Sequence, residues 1–241
     1  MNPSLLDVHT HTIMSGHAYS TLQEMISAAK EKGLKILGVT EHSPTIPGSC
    51  CWLYFKNYWV VPRQYGDLRL MLGAELNILN THGDIDMGPK HYRYMDLRIA
   101  GIHSLCWDGG TPEENTAGVV AAMHNPWIQI ISHPADGTAD LLFEPLVLAS
   151  KETGTILEIN NNSIRPGRGK AKAIDNNREL LQLCKKHGVP VLFSSDAHIS
   201  FDVGFHDLVY DMAKEVGFPE ELILNTDTDR FLKALKPDPA V

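Results

Sequence analysis

The chain has 241 residues, 43% of them hydrophobic and 21% charged, with a net charge of −8 when the histidines are neutral. That composition excludes intrinsic disorder, and no run of about 18 apolar residues offers a membrane-spanning helix. The acidic balance removes any general attraction to nucleic acid or an anionic membrane, though not a small phosphorylated substrate, because bound metal ions can reverse a local field.

The length suits one α/β barrel over residues 1–241 better than two domains. Short apolar runs recur at intervals of roughly 30 residues, the length of a strand-plus-helix unit. In chain order the predicted strands are "LLDVH" from Leu5, "KILGVTEH" from Lys35, "LMLGAEL" from Leu70, "LRIAGIH" from Leu97, "IQIISHP" from Ile128, "ILEINN" from Ile156 and "VLFSSDAH" from Val191. Helices with start and stop signals lie between them. Ser20 with Gln23 reads as a capping box opening one helix, with Leu22, Met25, Ile26 and Ala29 on its apolar face and Gly33 at its stop. Thr111, Pro112 and Glu114 open another, and a third runs from Asp175 to Gly188. The stretch Ser43–Asp67, aromatic and proline-bearing, has no such regularity. It is expected to be a packed excursion over the barrel end, with a site-covering role as the alternative. Alternating strands and helices predict a parallel sheet. Seven units without a convincing eighth strand predict a distorted (β/α)7 barrel, TIM-barrel-like.

The histidines fall at informative places. His9 and His11 alternate, so a strand would point both to one face, and His17 follows within a few residues. The next strands finish at His42, Glu75, His103 and His133, and the last at Asp196 and His198. The C-terminal ends of barrel strands converge on one face, and that face holds the chemistry. The nine groups exceed what one four-coordinate zinc takes, so they suit a cluster of two or three ions. His82, His91, His124, His187 and His206 follow no strand and are read as ordinary polar residues. The four cysteines, Cys50, Cys51, Cys106 and Cys184, form neither a disulfide framework nor a zinc-finger spacing. Reduced thiols, and a start "MNPSLLDVHTH" without a basic-then-apolar leader, predict a cytoplasmic protein.

Taken in order, H-x-H, His17, "TEH", "GAE", "GIH", "SHP" and "SDAH", with "HAYSTL", "EHSPTIPG" and "LEINN", resemble the PHP (polymerase and histidinol phosphatase) superfamily, in particular its stand-alone YcdX-like probable phosphatases. The resemblance covers nearly the whole chain. It implies a distorted seven-stranded barrel with three divalent ions, zinc first, with Fe or Mn also admitted. It assigns His9, His11, Glu75 and Asp196 to one ion. Glu75 would bridge to a second ion held by His103 and His133, and His17, His42 and His198 would hold the third. Glu41, where many relatives have Asp, and Asp7 are expected behind the ligands, Asp7 fixing a histidine tautomer.

The expected reaction is hydrolysis of a small phosphorylated substrate by direct attack of metal-bound hydroxide, without a covalent intermediate. Arg168, Asn161 and Lys170, on the loop "NNNSIRPGRGKAK" after the sixth strand, are candidates to hold the substrate phosphate. A PHP-type nuclease, an amidohydrolase and a non-catalytic metal-binding domain are the alternatives. The acidic charge weighs against the first and the His17/His42/His198 set against the second. The complete ligand set weighs against the third. The natural substrate and oligomeric state are not legible.

Overall fold

A computed structural model describes residues 1–168 and 170–239. Seven parallel strands form a nearly closed barrel: β1 (Leu6–Asp7), β2 (Ile36–His42), β4 (Leu68–Asn77), β5 (Leu97–Gly101), β6 (Ile130–Ile131), β7 (Ile156–Asn160) and β8 (Val191–Ser194), hydrogen-bonded in that order. The sequence missed β3 (Gln64–Tyr65), which folds back antiparallel onto the start of β4. Helices α1 (Leu22–Glu31), α2 (Trp52–Lys56), α3 (Pro89–Tyr92), α4 (Pro112–His124), α5 (Phe143–Thr153), α6 (Ala173–His187), α7 (Asp207–Glu215) and α8 (Thr228–Ala234) complete the fold. No helix among the described residues is long and apolar enough to cross a membrane.

The helix starts follow from their caps. α4 begins at the Thr111/Glu114 capping box with Pro112 in its first turn. α1 is capped one residue later than expected: Thr21, not Ser20, pairs with Glu24, not Gln23. The Ser20 hydroxyl instead accepts from Ser200 N–H (3.0 Å), tying the loop before α1 to the segment after β8. Gly33 follows α1 and Gly188 ends α6, both at positive φ, where a side chain would be strained.

Alternation along the strands divides the core in two. Leu6, Val8, Ile36, Met71, Leu97, Ile99, Ile130, Ile156 and Leu192 pack together inside the barrel, and Leu224 and Phe231 join them. The opposite faces pack against the surrounding helices. Among the described residues no eighth parallel strand completes the closure. At the C-terminal end the main chain past β1 pairs with that past β8, through His11 N–H to Ala197 O (2.8 Å). At the other end the segment around Asn225 fills the gap. The Asn225 side-chain amide accepts from Phe193 N–H (2.7 Å) and donates to Phe193 O (2.7 Å) and Leu6 O (3.2 Å). One side chain thus satisfies main-chain groups that a further strand would have paired.

The stretch Ser43–Asp67 is a packed excursion, with its aromatic part outside the barrel. Phe55 and Tyr58 are buried, and the Tyr58 hydroxyl donates to Gly73 O (2.9 Å). Trp52, Leu53, Trp59 and Val60 remain exposed, and no residue of 50–65 lines the cavity at the strand ends.

Candidate metal centre

All nine predicted donors meet at the C-terminal end of the barrel. Only Glu75 and His42 lie within strands, in β4 and at the end of β2; the others stand just beyond strand ends, except His17, which follows the turn Ile13–Ser15 well past β1. Three routes bring six of them in. Glu75, His42 and His103 follow the inward alternation of Met71, Ile36 and Ile99. His9 and His11 lie out of phase with inward-facing Leu6 and Val8, and reach the site because the β1 ladder stops at Asp7. His133 is out of phase with Ile130 and is turned inward by a backbone φ of 31°. His133 and Asp196 (φ 49°) are the only non-glycine residues at positive φ among the described residues. Such a conformation costs roughly 1–3 kcal/mol, and it persists only where the surroundings enforce it.

The donors form three groups around the Glu75 carboxylate, which is fully buried. His9 Nε2 and His11 Nε2 are 3.0 Å apart, 3.3 and 3.5 Å from Glu75 Oε2, and 3.5 and 3.3 Å from Asp196 Oδ1. Four donors bonded to one zinc at about 2.0–2.1 Å would lie about 3.3 Å apart in a tetrahedron. The other carboxylate oxygen, Oε1, lies 2.8 Å from His133 Nε2 and 3.4 Å from His103 Nε2. In the outer group His17 Nε2 is 3.1 Å from His198 Nε2, and the His17 and His42 rings stack at 4.9 Å. His42 sits at the junction: its Nδ1 lies 2.9 Å from Glu75 Oε2 yet makes no hydrogen bond with it.

A divalent ion fits this donor set. Both ring nitrogens of His103 and Glu75 Oε2 are buried without a hydrogen-bond partner, an expense that a coordinated cation removes. The electrostatics agree. Burial and the neighbouring His42 and His198 hold His11 well below the usual histidine value, and burial pushes His42 down to about 4, so both offer lone pairs. Burial alone would raise Glu75 and Asp196, but the surrounding histidines outweigh it and hold both well below the carboxylate range. Burial opposes a proton on His133, yet Glu75 raises it to about 9, so this carboxylate draws positive charge to the site.

Asp7 does not reach the cluster. It faces away from the interior and accepts from Ser195 N–H (3.2 Å), the Ser195 hydroxyl (2.5 Å) and Gly204 N–H (2.7 Å), with His206 Nε2 at 3.5 Å. It anchors the turn that carries Asp196 and fixes no ligand tautomer. Glu41 does stand behind a predicted donor: its Oε2 accepts from the Ser15 hydroxyl (2.6 Å), which in turn contacts His11 Nδ1 (3.0 Å). Sequence reasoning missed Glu158, which receives His9 Nδ1–H (2.7 Å), and Ser132, whose hydroxyl donates to Glu75 Oε1 (2.7 Å). A signal for Glu158 existed, because in "ILEIN" it alternates with inward Ile156, and a charge at an interior strand position needs a partner.

Above the donors lies an open cavity of about 310 Å³, walled by Ile46, Ile102 and Leu105 and by Asn162, Ser163, Arg168 and Lys170. Of the three substrate candidates, Arg168 and Lys170 line it. Asn161 does not: it is buried, and its Oδ1 accepts from Val209 N–H (3.2 Å), a contact with α7. Arg168 Nη1 lies 3.0 Å from Asp202 Oδ2, an oxygen shared with Arg165 Nη1 (2.7 Å), and Lys170 Nζ lies 3.1 Å from Asp136 Oδ2.

The chain is similar to proteins whose names bear on this site. It is 40% identical over 232 residues to a probable phosphatase of Clostridium novyi, covering 96% of this chain and 94% of that protein. To a probable phosphatase of Clostridium acetobutylicum it is 41% identical over 232 residues, with the same coverage. Among solved structures, histidinol phosphate phosphatase from Lactococcus lactis, complexed with Zn, L-histidinol and phosphate, aligns with a TM-score of 0.62. That alignment covers 90% of this chain and 95% of that one at 17% identity, a likeness of fold. The PHP domain model matches residues 7–187, most of the chain, and the strand order, the convergent donors and the relatives agree with it: the chain belongs to the PHP domain family.

Proposed function

We propose that this chain is a metal-dependent phosphatase that hydrolyses a small phosphorylated molecule at a cluster of three divalent ions, zinc first, with Fe or Mn as alternatives. Its 40% and 41% identical relatives are named probable phosphatases, which supports hydrolysis of phosphoric ester bonds. The observation that carries the finer reading is Glu75. Its two oxygens face two different groups of histidines, as a carboxylate shared between ions would. His9, His11, Glu75 and Asp196 would hold one ion, His103, His133 and Glu75 a second, and His17, His42 and His198 the third. When bound, such ions acidify a coordinated water and neutralise charge on the phosphoryl oxygens.

The protein's own residues supply the rest. Ser132 fixes the rotation of the Glu75 carboxylate, and Asp7 fixes the turn bearing Asp196. Arg168 and Lys170 present cations on the cavity wall and would receive the phosphate of a substrate. Their pairing with Asp202 and Asp136 sets them in place before a substrate arrives. The Ile46, Ile102 and Leu105 side gives the organic part of the substrate an apolar surface. The cavity volume suits a small molecule, and the solved relative complexed with L-histidinol and phosphate is a precedent of that size. We read residues 1–241 as one domain. The part after residue 187 supplies Asp196 and His198 and closes the barrel through Asn225.

The test is turnover of p-nitrophenyl phosphate beside an oligonucleotide. Phosphomonoester hydrolysis that chelation abolishes and added metal restores is the expected result. Activity surviving complete metal removal, or activity on the oligonucleotide alone, would overturn the reading.

A further inference from the structure

Glu158, midway along β7, is fully buried and makes four contacts, all with hydrogen-bond donors. Oε1 accepts from His9 Nδ1 (2.7 Å) and the Ser194 hydroxyl, and Oε2 from His133 N–H (2.6 Å) and Asn160 Nδ2 (3.1 Å). Its two principal partners are out of phase with the barrel interior. Strand alternation sends His9 and His133 outward, since Val8 and Ile130 take the inward places. One carboxylate therefore grips the ring of the first and the strained main chain of the second. Their Nε2 atoms face different oxygens of Glu75: His9 lies 3.3 Å from Oε2 and His133 2.8 Å from Oε1.

We propose that Glu158 is a positioning residue for two ions at once. Through Oε1 it holds His9 as the Nδ1–H tautomer with its Nε2 lone pair free for one ion, and through Oε2 it holds His133 in the backbone conformation that brings its ring to another. The inference rests on the metal reading of the site and adds a dependence that the nine donors alone do not imply: affinity at two positions should fall together when one non-ligand changes. A glutamine at this position has one acceptor oxygen in place of two, so either His9 Nδ1 or His133 N–H must face an amide NH2. If it is His9, the ring accepts through Nδ1 and carries its proton on Nε2, the atom that points at His11, Glu75 and Asp196. If it is His133, the positive-φ turn loses the bond that offsets its strain.

The experiment challenges metal-loaded protein with graded chelator and counts the ions retained. Partners behind metal ligands typically set affinity by about 10–100-fold. Glu158→Ala, which removes both acceptors, should release two ions at chelator concentrations at least about tenfold lower than wild type, whereas Glu158→Gln and His17→Ala should each weaken one. Release from Glu158→Ala at wild-type concentrations, or weakening of a single ion in it, would overturn the proposal. Should Glu158→Ala not fold, histidine nitrogen NMR on the zinc-loaded wild type decides, with His9 assigned by its loss in His9→Gln. The His9 proton should sit on Nδ1 and exchange slowly; a proton on Nε2 would overturn the proposal. A wild type that takes up no metal would overturn the metal reading and this inference together, whereas tight binding indifferent to Glu158 would remove only the inference.

Discussion

Replacing Glu75 with glutamine gives an asymmetric forecast that follows from which oxygen each neighbour faces. The Ser132 hydroxyl donates to Oε1 at 2.7 Å, so the amide oxygen of the introduced glutamine would stay there and its NH2 group would take the place of Oε2. That place lies 3.3 Å from His9 Nε2, 3.5 Å from His11 Nε2 and 2.9 Å from His42 Nδ1. An ion held by His9, His11 and Asp196, as proposed, would lose a charged donor and meet two N–H hydrogens instead. An ion held by His103 and His133 would keep only a neutral oxygen in place of a charged one and would weaken as well, though less. Residues that merely orient ligands change metal affinity by about 10–100-fold. Loss of a direct, charged ligand should exceed that range at the first position, more than about 2.8 kcal/mol at about 1.4 kcal/mol per factor of ten. Stepwise dissociation constants from competition with a chromophoric chelator, with elemental analysis of the purified protein, give the readout. Glu75→Gln should bind fewer ions than His17→Ala, which touches one group at the rim, and should hydrolyse p-nitrophenyl phosphate more slowly. Equal metal loss in the two variants, or a full complement in Glu75→Gln, would refute the shared-carboxylate argument.

Three further outcomes follow. Asn225→Ala leaves Phe193 N–H, Phe193 O and Leu6 O without the amide that serves them; at about 1–3 kcal/mol per abandoned buried group, partly relieved by water, it should cost about 2–4 kcal/mol in urea denaturation, and a loss below about 0.5 kcal/mol would mean that the amide does not close the barrel. Arg168→Ala should raise KM for a phosphomonoester about tenfold with kcat little changed, because a charge-assisted contact to bound phosphate is lost before and during the reaction alike; an unaltered KM would take Arg168 off the substrate path. Single-turnover hydrolysis in oxygen-18 water should place one solvent oxygen in the released phosphate with inversion at phosphorus, and retention of configuration would point to a covalent phosphoenzyme instead.

The parts of the site legible in the sequence were those that residue type and a two-residue period encode. His42, Glu75 and His103 sit on the inward phase of strands whose apolar residues announce that phase, and the barrel rule sends their ends to one face. The loop after β7 was legible only as a patch of charge: Arg168 and Lys170 do reach the cavity, but Asn161 turns toward α7, because which of three successive asparagines faces inward depends on how the chain leaves β7. The missing eighth strand was inferred correctly and its replacement was not. Asn225 does with one amide what a strand does with a ladder, and no period accompanies a single side chain. The Thr21 cap was displaced by one residue because Ser20 has a competing partner at Ser200, far along the chain.

The places where alternation fails are also the places where the chemistry is built. A continued β1 ladder would have kept Asp7 on one face with His9 and His11; instead the ladder ends at Asp7, which stays outside while both histidines turn in. His133 and Asp196 take positive φ, and no other non-glycine residue does so among the described residues. A regular strand would have placed an inward side chain only at every second residue, spaced about 6–7 Å apart. Donors must instead crowd to about 3.3 Å to share one ion. Regular geometry cannot supply that density, so the chain has to break its own period at the site, and each break needs a local anchor. Glu158 anchors His9 and His133, Ser15 and Glu41 stand behind His11, and Asp7 secures the turn of Asp196. Buried carboxylates outside the donor set are thus a consequence of packing so many donors into one barrel mouth.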